Sequence, residues 1–104
     1  MAVYFGTFST VTNTNIIAAV AGKRVCVNRL IFSTSVNAGF TLYQDVGGAS
    51  EAAISCAFQG RSAGTALNLE FADEKPQTGA GLALGIGCDG VGNWGLWIEY
   101  ELVD

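Results

Sequence analysis

The residue types that carry most enzymatic chemistry are sparse in this sequence. It contains no histidine, which is the usual general base near neutral pH and the most common zinc ligand. Without histidine, a serine or cysteine nucleophile lacks its ordinary activating partner. Lysine can replace it as a base, but Lys23 and Lys75 both lie in polar stretches where burial is not expected. We therefore expect a protein that is not an enzyme, unless a partner chain supplies the missing groups.

Three short motifs could bind a ligand, and each has a simpler structural interpretation. Residues 85–90 match the GxGxxG pattern of dinucleotide sites, but that pattern requires a following helix and here a strand follows. Glu99 and Glu101 share one face of the last predicted strand, which is typical of a solvated face as well as of an acid–base pair. Asp73-Glu74 offers only two acidic ligands for calcium. We expect no cofactor and no bound metal.

The three cysteines, Cys26, Cys56 and Cys88, cannot all pair within one chain, and none lies in a CxxC spacing. Cysteines of this kind are ordinarily buried and reduced in a protein made in the cytoplasm. We expect three buried thiols with no redox role.

The elements that carry these residues are short strands. Glycine is frequent, turn residues recur every eight to twelve positions, and no stretch has helical periodicity, which predicts an all-β antiparallel double sheet in a single domain, residues 1–104. The eight predicted strands are Val3–Ser9, Ile16–Ala21, Arg24–Thr34, Phe40–Asp45, Ala52–Phe58, Leu67–Phe71, Leu82–Cys88 and Trp94–Val103.

Composition narrows the possible partners. The net charge of −4 and the scattered basic residues argue against nucleic acid, and the longest apolar run, Ile16–Ala21, is too short to span a membrane. Half of the residues are apolar and only 13% are charged, which is little charge for a chain that must cover its whole surface with water-soluble groups. The composition therefore predicts association with copies of the same chain.

Trp97 is the most informative candidate for such a contact, because it lies among glutamates on the face opposite the apolar side of its own strand. Aromatic residues are enriched in interfaces, so its position indicates a partner. In the strand Arg24–Thr34, alternation places Val25, Val27 and Ile31 on one face and Cys26, Leu30 and Phe32 on the other. The candidate interface residues on faces that look too apolar for water are Tyr4, Leu30, Phe32, Tyr43 and Trp97.

Four segments carry a resemblance to a known family: Ala21-Gly-Lys-Arg-Val-Cys-Val-Asn-Arg-Leu-Ile-Phe-Ser33, Ala38-Gly-Phe-Thr-Leu-Tyr-Gln-Asp45, Gly79-Ala-Gly-Leu-Ala-Leu-Gly-Ile-Gly87 and Trp97-Ile-Glu-Tyr-Glu-Leu-Val103. From residue 16 onward, the order of strands and turns resembles the small jelly-roll decoration, or cement, proteins of tailed bacteriophages, whose fold is similar to tumour necrosis factor. The resemblance rests on no invariant motif, so no functional residue is carried over from it.

The resemblance implies an eight-stranded jelly-roll sandwich and a homotrimer that binds the major capsid protein on the outside of a phage head. Such a protein is made in the host bacterial cytoplasm and ends on the virion surface. Related domains also occur in tail fibres, which leaves a second hypothesis of a head domain that binds a glycan or receptor. Its contact loops would be Asp73–Thr78 or Asp89–Trp94, with Trp94 as the test residue.

Overall fold

The computed structural model describes residues 1–9, 13–35, 38–59, 66–90 and 92–104, and the regular elements of these residues are all strands. No helix in this part of the chain is long and apolar enough to cross a membrane. The strands, in chain order, are β1 Ala2–Phe8, β2 Thr14–Ile17, β3 Arg24–Thr34, β4 Gly39–Gln44, β5 Ala52–Ala53, β6 Phe58–Gln59, β7 Ala66–Glu70, β8 Leu84–Cys88 and β9 Trp94–Val103.

Two antiparallel sheets form a sandwich. The first sheet has the order β1-β9-β3-β7 and the second has β2-β8-β4-β5, with β6 also paired to β4. Strands β5 and β6 pair with opposite ends of β4, on the edge that β8 leaves free, so they are two halves of one interrupted strand. Counted in this way, four strands lie in each sheet, and consecutive strands lie in different sheets except for β4 and the interrupted strand that follows it, which is the arrangement of a jelly roll. The predicted all-β antiparallel jelly-roll sandwich is confirmed.

The core lies between the sheets and is built from alternate residues of the central strands. Strand β9 contributes Trp94, Leu96 and Ile98, and β8 contributes Leu84 and Ile86, all of them buried. Aromatic rings fill the end of the core near Trp94, where the ring centroids of Trp94 and Phe8 are 4.5 Å apart and those of Phe32 and Phe40 are 4.6 Å apart. The alternation predicted for β8 and β9 is therefore confirmed.

A β-bulge in β3 changes which of its residues face the core, so the predicted faces of this strand need correction. The pairing of β3 with β9 shifts register between Val27 and Arg29, so Asn28 is an extra residue and the inward face changes from odd to even numbers. Before the bulge Val25 and Val27 point inward, and after it Leu30 and Phe32 do so. The prediction that Val25, Val27 and Ile31 share a face was wrong for this reason.

The strand predicted over Ala52–Phe58 is interrupted, which corrects the placement of Cys56. The backbone N–H of Leu42 donates to the Ser55 hydroxyl at 3.0 Å instead of to a backbone carbonyl. The regular ladder stops at this side-chain bond, and the alternation that would have buried Cys56 is lost. Cys56 is exposed, whereas Cys26 and Cys88 are buried as predicted.

The polar segment predicted as a loop, Asp73–Thr78, ends against β3. The N–H of Val27 donates to the carbonyl of Pro76, and Val25 and Thr78 exchange bonds through Thr78 N–H and the Thr78 hydroxyl. Thr78 is buried. The edge of β3 is thus covered by β7 along one half and by this segment along the other.

Candidate interaction surface

The outward face of the sheet β1-β9-β3-β7, which we call the open face, is built from three rows of side chains that cross the strands. The apolar row is Phe5, Trp97 and Ile31, which are aligned on β1, β9 and β3. The charged row is Glu99, Arg29 and Glu70. The small row is Thr7, Gly95, Ser33 and Ala66. Because side chains repeat every second residue along a strand, the three rows lie side by side.

The apolar row contains the most exposed aromatic residues of the described chain. Phe5 is 71% exposed and Trp97 is 40% exposed, and Val3 next to them on β1 is 45% exposed. The rings of Phe5 and Trp97 stack with centroids 5.9 Å apart and planes 18° apart. The indole Nε1 of Trp97 donates a hydrogen bond to the Glu99 carboxylate at 3.1 Å, which fixes the orientation of the ring. The row is an ordered ridge of aromatic surface that faces water.

The charged row lies next to this ridge and is internally paired. The Arg29 guanidinium lies 3.6 Å from Glu99 and 3.9 Å from Glu70, and its Nε donates to the Asn68 side-chain oxygen at 3.2 Å. These contacts are partly exposed, so each contributes little to stability. Beside Arg29 the surface forms a shallow depression of about 280 Å³, which Asn28, Phe71 and Ala72 line together with the charged row.

The outward face of the second sheet, which we call the closed face, is covered by side chains of the chain itself. Gly85 and Gly87 leave room above β8, and Val46, Asn13, Asn15 and Tyr43 fill it. The Asn15 side chain holds the cover in place, because its amide nitrogen donates to the Val46 carbonyl and its oxygen accepts from the Val46 N–H, at 2.9 and 3.0 Å. The predicted interpretation of these glycines as a thin strand face, and not a dinucleotide loop, agrees with their place within β8.

The five predicted interface residues fall in different environments. Trp97 is on the open face and Tyr43, half-buried, is on the closed face above Gly87. Tyr4 points toward the core at the end of its sheet, and burial raises the pKa of its hydroxyl. The placement of Leu30 and Phe32 was wrong: they are 0% and 1% exposed, because the bulge at Asn28 turns them into the core. For Tyr43 and Trp97 the interface role stays a prediction.

Sequence reasoning missed Phe5 and Val3. Both faces of β1 carry large apolar residues, Tyr4 and Phe8 on one and Val3 and Phe5 on the other, so alternation alone could not tell which face is exposed. The register settles it, because Phe5 lies directly opposite Trp97. The exposure of Phe5 follows from the pairing of β1 with the last strand, β9, and a pattern within β1 alone does not contain it.

Trp94 is not available to a ligand. It is 2% exposed and stacks on Phe8 inside the sandwich. The hypothesis that Trp94 contacts a glycan, as part of a binding loop over Asp89–Trp94, was therefore wrong about this residue. Asp89 is used structurally, because its carboxylate accepts the Gly39 N–H at 2.6 Å. Residue 91 of that loop lies outside the described residues.

Within the described ranges, no three His, Cys, Asp or Glu side chains cluster in a way that could hold a metal ion. Burial raises the pKa of the Cys26 and Cys88 thiols, which disfavours the reactive thiolate at both positions. The surface feature that stands out is therefore the open face, and what it offers is contact area with polar groups beside it.

No protein-family model matches the sequence, and no characterised protein matches it either. Among solved structures, the fold is similar to the EclA C-terminal domain, a sugar-binding protein, with a TM-score of 0.55 and 13% identity over 99% of this chain and 79% of that one. A chain of the T13 IBDV viral particle aligns with a TM-score of 0.46 and 15% identity, over 93% of this chain and 30% of that one. The carbohydrate-binding module TmCBM61, solved with β-1,4-galactotriose, aligns with a TM-score of 0.40 and 15% identity, over 88% of this chain and 59% of that one. At this level of identity the similarity establishes the β-sandwich fold.

Proposed function

We propose that this chain is a structural protein of a virus particle: a homotrimeric decoration, or cement, protein that binds the outside of a phage head and stabilises it. Its partners are two further copies of itself and the major capsid protein. It is made in the host bacterial cytoplasm and ends on the capsid surface. The observation that carries the proposal is the apolar row of the open face, with Phe5 and Trp97 exposed side by side.

Exposed aromatic residues in a group are the usual sign of a protein–protein contact. Hot-spot residues of interfaces are enriched in tryptophan, cluster near the centre of the contact, and are surrounded by groups that exclude water. Trp97 has this setting, since Phe5 lies beside it on β1 and the charged row, with Val3 at its β1 end, lies next to it along the strands. The low charge content of the chain supports the same conclusion.

A decoration protein gains its effect from repetition. Closed symmetric assembly places the same apolar row of every subunit in the same environment, and many copies on a lattice make a modest contact effective through avidity. A role of this kind requires no catalytic group, which agrees with a sequence that contains no histidine. The fold itself does not assign the role, because similar sandwiches serve sugar binding and viral shells alike.

The mass of the protein in solution tests the proposal. Light scattering at micromolar concentration should give three times the 10.8 kDa mass of one chain. Trp97→Ser should weaken association by about 30-fold or more, as loss of a hot-spot aromatic residue does. Val20→Ser is the matched control, because Val20 is 42% exposed and lies outside the strands that form the open face.

A monomeric wild-type protein at that concentration would overturn the trimer. Electron microscopy of particles with and without the protein tests the location separately. Density at the local three-fold positions of the capsid is the expected result, and density on the tail alone contradicts a head decoration role.

A second candidate function is a receptor- or glycan-binding head domain of a phage fibre, and one feature favours it. An exposed indole ring lies beside carboxylates and a guanidinium, which together could stack on a sugar and bond its hydroxyl groups. A glycan array with Arg29→Gln distinguishes the two candidates. Loss of a specific glycan signal with the trimer intact favours sugar binding, whereas an array without any specific signal favours the structural role.

A further inference from the structure

Strand β1 is the one long unprotected edge among the sheet edges of the described residues. The two sheets end in β1 and β7, and in β2 and the interrupted pair β5 and β6. Strand β1 has seven residues with no charge and no proline. Strand β7 ends in Glu70, β2 has four residues and a register shift, and β5 and β6 have two residues each. Short length, charge and irregularity are the ordinary means by which proteins protect an edge, and β1 has none of them.

The backbone of β1 is a regular template. It pairs with β9 over seven consecutive residues without a register shift. On its other side no described strand pairs with it, and no loop of the described residues bonds to its backbone. Every second N–H and C=O group of β1 is therefore directed away from the sheet, where an extended segment could accept and donate hydrogen bonds.

The side chains of β1 also suit an added strand. Val3, Phe5 and Thr7 point to the open face, and Tyr4 and Phe8 point to the core side. A strand laid beside β1 would place its own alternate residues next to these two sets, and aromatic or β-branched neighbours stabilise such cross-strand pairs. An alternating apolar segment would extend the apolar row by one strand.

The charges around β1 favour one kind of occupant. Glu99 lies directly opposite Val3, and Glu101 follows one position beyond the partner of Ala2. Arg29 pairs with Glu99, but Glu101 is exposed and has no ion pair within the described residues. A segment with lysine or arginine near Ala2 would gain from this acidic end, whereas the β1 strand of a second copy carries no charge that could do so.

We infer that β1 binds an extended segment of a second protein by strand addition, and that this segment is uncharged and alternating in its middle with a basic residue at the end near Ala2. The inference rests on the proposed function only in naming the major capsid protein as the protein to which the bound segment belongs. The binding itself requires neither the trimer nor the capsid, so the two can fail independently.

A synthetic peptide tests this with the full chain. The probe is a blocked peptide of alternating valine and threonine with lysine at both ends, and the readout is hydrogen exchange of individual backbone amides by NMR. We expect alternate amides of β1 to exchange about tenfold more slowly with the peptide present, while those of β7 do not change. The same peptide with two adjacent N-methylated residues at its centre lacks donors on both of its edges and should give no slowing.

Two variants provide the matched comparison. Thr7→Lys places on the β1 edge the kind of charge that blocks strand addition and should abolish the slowing, whereas Asn68→Lys on the β7 edge should leave it unchanged. Equal slowing with a peptide that ends in glutamate contradicts the charge assignment. Unchanged β1 exchange at millimolar lysine-ended peptide overturns strand addition. Slow exchange of β1 without any peptide, increasing with protein concentration, identifies a second copy as the occupant and overturns the inferred partner.

Discussion

The outward faces of the two sheets differ in how much apolar surface they expose to water. On the closed face, glycines in β8 leave space and the chain fills it with Asn13, Tyr43 and Val46. On the open face, Phe5 and Trp97 extend into water and no described segment folds over them. The same small domain thus covers one sheet with its own side chains and leaves aromatic surface on the other.

The difference indicates what each face contributes. Tight contact over Gly85 and Gly87 fixes the packing of the second sheet and stabilises the folded chain. The open face gains little for the isolated chain, because exposed rings and partly exposed ion pairs stabilise a monomer weakly. Its aromatic surface becomes favourable only when something else removes it from water.

The largest effect that tests this contrast comes from adding one methyl group to each face. A Cβ at Gly85 would lie 2.5 Å from a Val46 methyl carbon and 2.9 Å from the Thr14 carbonyl oxygen, which belongs to the backbone. Gly85→Ala should therefore destabilise the fold by about 1–3 kcal/mol, as overpacking does. A Cβ at Gly95 on the open face would lie 3.1 Å from the Ser33 hydroxyl and 3.9 Å from the Gly6 carbonyl oxygen, which is an ordinary contact, so Gly95→Ala should stay within about 1 kcal/mol of wild type.

Urea unfolding measures both glycine variants. If Gly95→Ala costs as much as Gly85→Ala, the two faces are equally close-packed and the distinction between them is wrong.

A smaller effect is expected from the polar cover of the closed face. Asn15→Ala removes two hydrogen bonds between the exposed Asn15 side chain and the Val46 backbone, and should lower the free energy of unfolding by about 1 kcal/mol. Asn68→Ala on the open face removes an exposed contact with Arg29 and should change stability by less than about 0.5 kcal/mol. Thermal unfolding of the two variants measures this difference. Equal melting temperatures would contradict the expected difference between the two faces.

The smallest expected effect belongs to neither face. The Lys23 ammonium bonds the carboxylate of Asp104, and this contact holds the pKa of Asp104 below its ordinary value. Because the folded pKa is lowered, the contribution is present above the unfolded pKa and is lost as the pH falls through the folded pKa. Asp104→Asn should thus lose slightly less stability than wild type on acidification, and identical pH profiles of melting temperature would contradict this.

Much of the fold could be predicted from the sequence because most of its strands obey simple alternation. Strands β8 and β9 alternate without interruption, so their inward residues and the outward position of Trp97 follow from period two. The glycines of β8 could likewise be assigned to a thin strand face. The class of fold needed only these patterns and the spacing of the turns.

The second strand was predicted over Ile16–Ala21 but lies at Thr14–Ile17. The other errors lie where one residue breaks the alternation. The extra residue at Asn28 changes the inward face of β3, which is why Leu30 and Phe32 were assigned to the wrong side. The hydroxyl of Ser55 replaces a ladder carbonyl and exposes Cys56. Both events depend on a neighbouring strand, so a pattern within one segment does not contain them.

Fluorescence quenching of Trp97 across a dilution series is the sharpest test of whether copies of the chain cover the open face. The two tryptophans are well separated in exposure, since Trp94 is buried, so acrylamide reports on Trp97. If the apolar row is covered by copies of the chain, Trp97 is shielded from acrylamide at micromolar concentration and becomes accessible when the protein is diluted well below the dissociation constant of the assembly. Quenching that is strong and equal at every concentration would mean that the open face stays in water, and would rule out an interface between copies there.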